Sequence, residues 1–394
     1  MKKMMALALA LTLGLSLAGC GSGSTQSGAP AAPASSGEDK GTETAGKEDG
    51  DSAGKDGLYF AVSLGWMENA SGQRQKFAFE QAFEQNNITN FDLVDANYDA
   101  KKQSEQIEAF IAKKPDALFV TPSDPIGIAE AVSKAANSGI KVFCSDGYVP
   151  GAEVASSVMF DNYAGGKCTM QYLADRLIAQ YPEGDIIIGM ITLPSNEGWD
   201  AREHGAKAVL AQEKYGRIKV KYEWPWDSTG AVTPTDTISS WMAADTAKEI
   251  KAIWCAWDGA AFEGLAVTAS TRPEIVYTGS DGGEECYKKM QQYPDQFVMT
   301  LAESVYEMPT TLVGYAMTSM NGGRIPRIVM SQGYAITSDM IMDVYEIKDK
   351  TGTVDGQELT AWQLALDYDL PGYTDALNAV LEENGKDAAW IPSV

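Results

Sequence analysis

The feature that most constrains the fold is a regular alternation of strand-like and helix-like segments, which begins at Leu58 and runs through most of the chain. Short apolar runs such as 117–120 alternate with segments whose apolar residues recur at helical spacing, such as 103–113. Strands that alternate with helices form parallel sheets covered on both faces. Residues 58–394 are too many for one small domain. We therefore predict an α/β fold of two doubly wound parallel sheets, with a single (β/α)₈ barrel as the competing architecture.

The ends of the predicted strands carry the candidate binding residues. In open α/β sheets, ligands bind beyond the carboxyl ends of the strands. Almost every predicted strand is followed by a polar or aromatic residue, and two facing sheets would bring these residues to one cleft. The strand-end candidates are Trp66, Glu68, Asp146, Tyr148, Asn196, Trp199, Trp257, Asp258, Asp281 and Glu303.

The N-terminus predicts export and lipid attachment. Lys2 and Lys3 precede an apolar run over 4–15, which is too short to span a bilayer as a mature helix. The following residues, Leu-Ala-Gly-Cys at 17–20, resemble the bacterial lipobox. We expect residues 1–19 to be a signal peptide and Cys20 to be lipidated. An ordinary cleaved signal with an incidental cysteine is the alternative.

The segment after the cysteine is predicted to be a flexible tether. Residues 21–57 contain no aliphatic side chain larger than alanine, so they cannot bury a core. We assign 20–57 to a disordered spacer between a membrane and a folded body. No later segment is long and apolar enough to span a membrane, so the lipid is expected to be the anchor.

Composition excludes several classes of function. The net charge of −23 argues against nucleic acid, whose phosphates require a basic surface. The single histidine, His204, excludes multi-histidine zinc sites, and no phosphate-binding glycine motif is present. We expect no metal, no cofactor and no catalytic group.

The body cysteines show no metal-like spacing. Cys144 and Cys255 sit in apolar strand-like runs, which favours buried thiols. Because Cys168 and Cys286 make the count even in an exported chain, disulfides stay open.

Four stretches resemble the periplasmic sugar-binding family typified by ribose- and galactose-binding proteins. They are LFVTPSDPIGIAEAVSKAANSGIKVFCSDGY, FDNYAGGKCTMQYLADRL, DAREHGAKAVL and YTGSDGG, and they match in order and spacing from 58 to about 338. The resemblance implies a type I periplasmic binding fold, in which two lobes joined by a three-strand hinge close around a solute. It implies a monomeric, extracytoplasmic receptor that docks on ABC permease subunits.

The resemblance also implies lobe boundaries. The N-terminal lobe would be 58–158 plus 304–332, and the C-terminal lobe 159–303 plus 333–394, with crossings near Phe160, Glu303 and Tyr334. Residues 339–394 extend beyond the usual family end. We expect them to form helices that are interrupted at LPGY and pack on the second lobe.

The resemblance assigns roles to individual residues. Asp146 and Asp281 would accept hydrogen bonds from sugar hydroxyls, Arg202 would donate to sugar oxygens, and Glu303 would lie beside a hinge crossing. Asn69 falls near the position of an aromatic pair, and Trp257 takes the place of a sugar-binding asparagine. Gly147 stands where ribose binders carry a second arginine, so the site is not a copy of a ribose site.

The residue types suit a carbohydrate, but each has a simpler interpretation. Carboxylates and arginine bind hydroxyls through charge-assisted hydrogen bonds, and tryptophan faces cover apolar C–H faces. The alternative is that the polar residues form surface ion pairs and that the tryptophans pack in the core. We interpret Trp254 as core, the Trp224 and Trp226 pair as a rim or lid, and His204 as surface or a supporting residue.

The leading hypothesis is therefore a lipoprotein receptor that delivers a monosaccharide or polyol to an ABC importer. Alternatives within the fold are a nucleoside, an autoinducer-2-like molecule or an amine held in an aromatic cage. A sensor for a membrane kinase and a glycosidase with paired carboxylates are the other classes. The family stretches argue against the enzyme.

Overall fold

The computed structural model describes residues 57–68, 70–192, 197–225 and 232–392. All of them belong to one compact unit that spans 53–394. The predicted signal peptide, Cys20, Asn69, Asn196, Trp226 and nearly all of the predicted tether lie outside the described residues. Within the described ranges, no helix is long and apolar enough to cross a membrane.

The first sheet has six strands in the order β11-β5-β4-β3-β1-β2, all of them parallel. We call this sheet and the helices packed on it the first lobe. Its strands are β1 (Tyr59–Leu64), β2 (Asn90–Asp95), β3 (Ala117–Val120), β4 (Lys141–Ser145), β5 (Ser156–Phe160) and β11 (Ile328–Ser331). Its helices are α1 (Ala70–Gln85), α2 (Ala100–Lys113), α3 (Ala129–Asn137) and α9 (Glu307–Met320).

The second sheet also has six strands, in the order β12-β10-β9-β8-β6-β7. We call it and its helices the second lobe. Its strands are β6 (Ile186–Thr192), β7 (Ile218–Pro225), β8 (Ile250–Cys255), β9 (Val276–Asp281), β10 (Phe297–Glu303) and β12 (Gly333–Thr337). Its helices are α4 (Asn162–Gln180), α5 (Glu197–Leu210), α6 (Pro234–Ala244), α7 (Asp258–Thr268) and α8 (Glu284–Gln292).

The predicted fold of two sheets is confirmed, and the barrel alternative is wrong. All four residues of β3 and all seven of β10 are buried, as expected for strands covered on both faces. One strand departs from the parallel pattern, because β12 pairs antiparallel with β10. The chain reaches β12 directly from β11 through Gln332, without a crossover helix that would reverse its direction.

The chain passes between the lobes at three places. β5 ends at Phe160 and α4 begins at Asn162, β10 ends at Glu303 and α9 begins at Glu307, and β11 continues into β12 through Gln332. These crossings place the ends of β5 and β10 beside the space between the two sheets.

Two glycines set the distance between α4 and α5. A Cβ at Gly166 of α4 would overlap the backbone carbonyl of Arg202, and one at Gly205 of α5 would overlap the carbonyl of Tyr163. The two helices therefore touch backbone to backbone. This contact fixes where α5 presents Arg202.

The C-terminal extension contains a hairpin besides the expected helices. The elements of the extension are α10 (Ser338–Glu346), β13 (Thr351–Val354), β14 (Gln357–Thr360), α11 (Ala361–Leu366) and α12 (Tyr373–Glu383), and β13 and β14 form the hairpin. Asp355 and Gly356, both with positive φ, form the hairpin turn. Buried extension residues such as Ile341, Leu364 and Trp390 share one apolar core with Tyr277 of the second sheet.

Replacing Gly166 with alanine tests the helix contact. We expect Gly166→Ala to lower the free energy of unfolding by about 1–3 kcal/mol, because the new methyl group forces α4 and α5 apart. Gly314→Ala in α9 is the control, since nothing lies within 4 Å of its added Cβ. Chemical denaturation of both variants measures the difference, and equal stabilities would refute the close contact.

Candidate functional site

The site is built around the buried side chain of Arg202, which is 5% exposed. Its Nε donates to Asn162 Oδ1 at 2.8 Å, and its Nη1 donates to the Ala256 carbonyl at 2.8 Å. Nη2 forms an ion pair with the buried Glu303 carboxylate, and Nη1 lies 3.4 Å from Asp281 Oδ1. The guanidinium is thus oriented by groups on α4, β9, β10 and the turn after β8.

The surrounding carboxylates keep Arg202 charged. Burial lowers the pKa of the guanidinium, but Glu303, Asp281 and Asp146 more than offset this and raise it above its usual value. Burial raises the pKa of Glu303, although Arg202 opposes the rise. Among the described residues, its four hydrogen-bond partners take four of the five N–H groups of Arg202, which leaves one Nη2 N–H to donate to a hydroxyl oxygen.

Asp146 brings the first lobe into the site. It follows β4 with a φ of 56° and accepts a 3.2 Å hydrogen bond from Gln75 Nε2. Thr121 Oγ1 donates to Gln75 Oε1 at 2.7 Å and orients that amide. Burial and the Glu303 carboxylate raise the pKa of Asp146 to about 8, while Arg202 and Gln75 oppose the rise. Asp146 therefore lies within electrostatic reach of Arg202 on the second lobe.

Asp281 and Asp258 are neighbours with different environments. The side chain of Asp281 is 45% exposed, whereas Asp258 is 2% exposed. Asp258 accepts hydrogen bonds from the Gly282 amide at 2.8 Å and from Thr300 Oγ1 at 2.8 Å. Because its carboxylate is committed to these groups, Asp258 holds the turn that carries Asp281 rather than facing a ligand. The strand-end prediction for Asp258 is corrected accordingly.

Burial within the site raises the pKa of both carboxyls. For Asp281 the rise is large despite Arg202, with Asp258 and Glu303 adding to it. For Asp258 the pKa rises to about 6, with the Gly282 amide and Thr300 opposing the rise. Asp281 keeps accessible oxygens at the end of β9, which suits a group that accepts hydrogen bonds from a ligand.

Two stacked aromatic pairs flank the polar residues. The rings of Trp199 and Trp257 lie 4.4 Å apart with planes 4° from parallel, on the second lobe. On the first lobe, Trp66 stacks on Tyr98 with centroids 5.6 Å apart and planes 5° from parallel. All three tryptophans are partly exposed and the tyrosine is exposed, so each lobe contributes aromatic surface.

Tyr98 is a site residue that the sequence analysis missed. It lies three residues after β2 with a φ of 60°, a conformation that is rare for a bulky residue and often found at functional sites. Burial, then the carboxylates of Glu68, Asp281 and Asp95, raise its pKa to about 12. Asp281 belongs to the second lobe, so Tyr98 faces across the cleft. The strand-end rule, applied to β2, would have found it.

The remaining candidates lie elsewhere. Glu68 is exposed at the edge of the cleft, and Asn69 lies outside the described residues. His204 is exposed and lies 3.3 Å from Asp200, whereas Trp254 is fully buried, so the predictions of a surface residue and a core residue are confirmed. The thiols of three cysteines are buried and free, namely Cys144, Cys255 and Cys286. Among the described residues, no cluster has the composition of a metal site.

The raised pKa of Asp146 predicts a pH-dependent stability. Between about pH 4 and pH 8 the folded carboxyl keeps its proton while the unfolded one releases it, so its contribution to stability falls as pH rises. We expect Asp146→Asn to stabilise the protein at pH 8 relative to wild type, and to have no effect near pH 4. Asparagine also tolerates the positive φ.

Asp245→Asn is the control of opposite sign. Despite its burial, hydrogen bonds from the Ile250 and Glu249 amides and from Arg272 lower the pKa of Asp245. Its stabilising contribution is present above the unfolded pKa and is lost as pH falls, so Asp245→Asn should destabilise the protein at pH 8. Thermal melts from pH 4 to pH 8 measure both variants. A destabilised Asp146→Asn at pH 8 would contradict the assigned environment.

Comparison with solved structures shows the same fold. The chain resembles a periplasmic solute-binding protein of an ABC transporter from Actinobacillus succinogenes, solved with D-allose bound. The TM-score is 0.64 at 19% identity, over 73% of this chain and 99% of the other. A solute-binding protein from Mycobacterium smegmatis, solved with glycerol bound, gives a TM-score of 0.63 at 21% identity, over 73% and 96% of the two chains.

Curated relatives match only part of their length. The ribose import binding protein of Bacillus subtilis is 25% identical over 193 residues, which are 49% of this chain and 60% of that protein. The xylitol-binding protein of Mycolicibacterium smegmatis is 32% identical over 133 residues, 33% of this chain and 36% of that protein. A sequence profile described as a periplasmic binding protein domain matches residues 60–322. The chain belongs to this family of periplasmic binding proteins.

Proposed function

We propose that this protein is an extracytoplasmic, lipid-anchored receptor that captures a monosaccharide or polyol between its lobes and delivers it to an ABC importer. The observation that supports this most strongly is the convergence of Asp146, Arg202 and Asp281 between the two sheets. These groups come from different lobes, so closure can surround a solute with both donors and acceptors.

The chemistry of the site suits a neutral polyhydroxylated molecule. The guanidinium of Arg202 stays charged and supplies an N–H donor, and Asp281 supplies accessible acceptor oxygens. The Asp146 carboxyl can donate or accept a hydrogen bond because its pKa lies near 8. The aromatic pairs offer flat apolar surfaces for C–H faces. Ribose import, xylitol binding and bound D-allose among the relatives support the same ligand class.

A cationic ligand and an enzymatic reaction are less well supported. The Trp199 and Trp257 rings are 4.4 Å apart, so they present one face rather than the separated walls of an aromatic cage. The family match to a periplasmic binding protein domain over residues 60–322 favours capture of a solute over hydrolysis.

A thermal-shift screen tests the ligand class. The panel contains D-ribose, D-xylose, D-allose, xylitol and glycerol, with adenosine and choline as representatives of the alternatives. A saccharide or polyol at about 100 times its dissociation constant should add about 2.7 kcal/mol of stability. Stabilisation by adenosine or choline alone would refute sugar binding.

The variant Asp281→Asn tests the site. We expect it to weaken binding of the most stabilising sugar about tenfold or more, because a carboxyl oxygen that can accept hydroxyl hydrogen bonds is replaced by an amide nitrogen that can only donate. The matched control is Glu284→Gln, which alters an acid three residues away whose side chain is 57% exposed on α8. Calorimetric titration that gives equal affinities for Asp281→Asn and wild type would refute the assignment.

Lipid attachment is tested by Cys20→Ser. In a bacterial host, the wild-type protein should incorporate labelled palmitate and partition with membranes. Each buried acyl methylene stabilises membrane binding by about 0.8 kcal/mol. The variant should carry no label and should not partition with membranes. Membrane-bound, labelled Cys20→Ser protein would disprove the anchor.

A further inference from the structure

A buried ion pair links the C-terminal extension to the first lobe. Arg74 of α1 places Nη2 against Asp369 and Nη1 2.9 Å from Asp367 Oδ1. The Asp369 side chain is fully buried, whereas that of Asp367 is 43% exposed. The partners Arg74 and Asp369 are 295 residues apart in sequence, and the family match ends at residue 322, before the extension.

The segment that contains Tyr368 and Asp369 contacts residues on both sides of the point where the chain crosses between the lobes after β10. The amide of Tyr306, just before α9 of the first lobe, donates to Asp369 Oδ2 at 2.8 Å. The Tyr368 hydroxyl donates to the backbone carbonyl of Glu303, whose carboxylate pairs with Arg202. The Tyr368 ring packs edge-on against Tyr334, with centroids 4.9 Å apart. The segment therefore reaches the polar site through Glu303.

The extension moves with the second lobe because the two share a core. Leu364, Leu377 and Trp390 belong to the same buried cluster as Ile253 and Tyr277 of the second sheet. Arg74, in contrast, lies on α1, whose Phe79 and Phe83 pack in the core of the first lobe. A rotation that opens the lobes by moving α1 relative to the extension would separate Arg74 from Asp369. This would leave a buried charge without its partner, which is strongly unfavourable.

We propose that Arg74, Tyr368 and Asp369 form a latch that holds the lobes together and positions Glu303 for ligand binding. It acts in the conformation in which Asp146 is close enough to Arg202 and Glu303 to interact with their charges. The latch raises the fraction of binding-competent protein, and apparent affinity is proportional to that fraction. This effect on binding rests on the proposed function, whereas the link between the lobes does not.

Four single variants isolate the latch. Asp369→Asn removes the charge but keeps an oxygen for the Tyr306 amide, and Arg74→Gln removes the other charge at a side chain that is 21% exposed. Arg74→Lys keeps the charge and should restore much of the effect. Asp343→Asn is the matched control, because its ion pair with Lys386 lies wholly within the extension.

Small-angle X-ray scattering of the ligand-free full chains measures the opening directly. We expect larger radii of gyration for Asp369→Asn and Arg74→Gln, and wild-type values for Asp343→Asn, with Arg74→Lys closer to wild type. If Asp369→Asn fails to fold, Arg74→Gln carries the test. Radii equal to wild type in both charge-removing variants, or the same expansion in Asp343→Asn, would overturn the latch.

Calorimetry with D-ribose, D-xylose and xylitol measures the consequence for binding. The two charge-removing variants should bind about tenfold more weakly, as expected if the competent fraction falls tenfold. Unchanged affinity alongside expanded scattering would overturn the positioning role. A wild-type protein that binds none of the sugars in the wider panel would refute the proposed function, and the scattering result would still decide the latch.

Discussion

The structure depends on the burial of one guanidinium. Arg202 is almost completely removed from solvent, and an isolated buried charge is prohibitively costly. Its donors are therefore satisfied by Asn162, Ala256, Glu303 and Asp281, which lie on or next to four different elements of the second lobe. The ends of these elements must meet at one point. That point is where the chain crosses between the lobes, so the requirement to pair Arg202 also organises the cleft.

Close packing carries this arrangement outward. The contact of α4 with α5 at Gly166 and Gly205 fixes the position of Arg202. Asp258 accepts a hydrogen bond from the Gly282 amide and so stabilises the turn that carries Asp281. The cost of desolvating these carboxyls is visible in the raised pKa values of Asp146, Asp281 and Glu303. A ligand that donates hydroxyl hydrogen bonds to them would relieve this cost, which couples capture of a solute to closure of the lobes.

Apolar periodicity predicted the two sheets, and the strand-end rule selected Asp146 and Asp281 as candidates. Arg202 was assigned only through the resemblance to sugar-binding proteins. Asp146, Arg202 and Asp281 converge as expected. Tyr98 was missed because the end of β2 was not considered, and the extension's hairpin because the Asp355-Gly356 turn signal was overlooked. The role of Asp258 and the Arg74 link to Asp369 depend on tertiary contacts between distant segments, which no local pattern encodes.

The central claim is that Arg202, Asp281 and Asp146 together bind a sugar between the lobes. A crystal structure of the protein grown with the saccharide that stabilises it most tests this directly. The account predicts sugar density between the two sheets, with hydroxyl oxygens within hydrogen-bond distance of Arg202 and Asp281, and a pyranose or polyol face against Trp66 or Trp257. A sugar bound elsewhere, with Arg202 contacting only its partners within the protein, would contradict it.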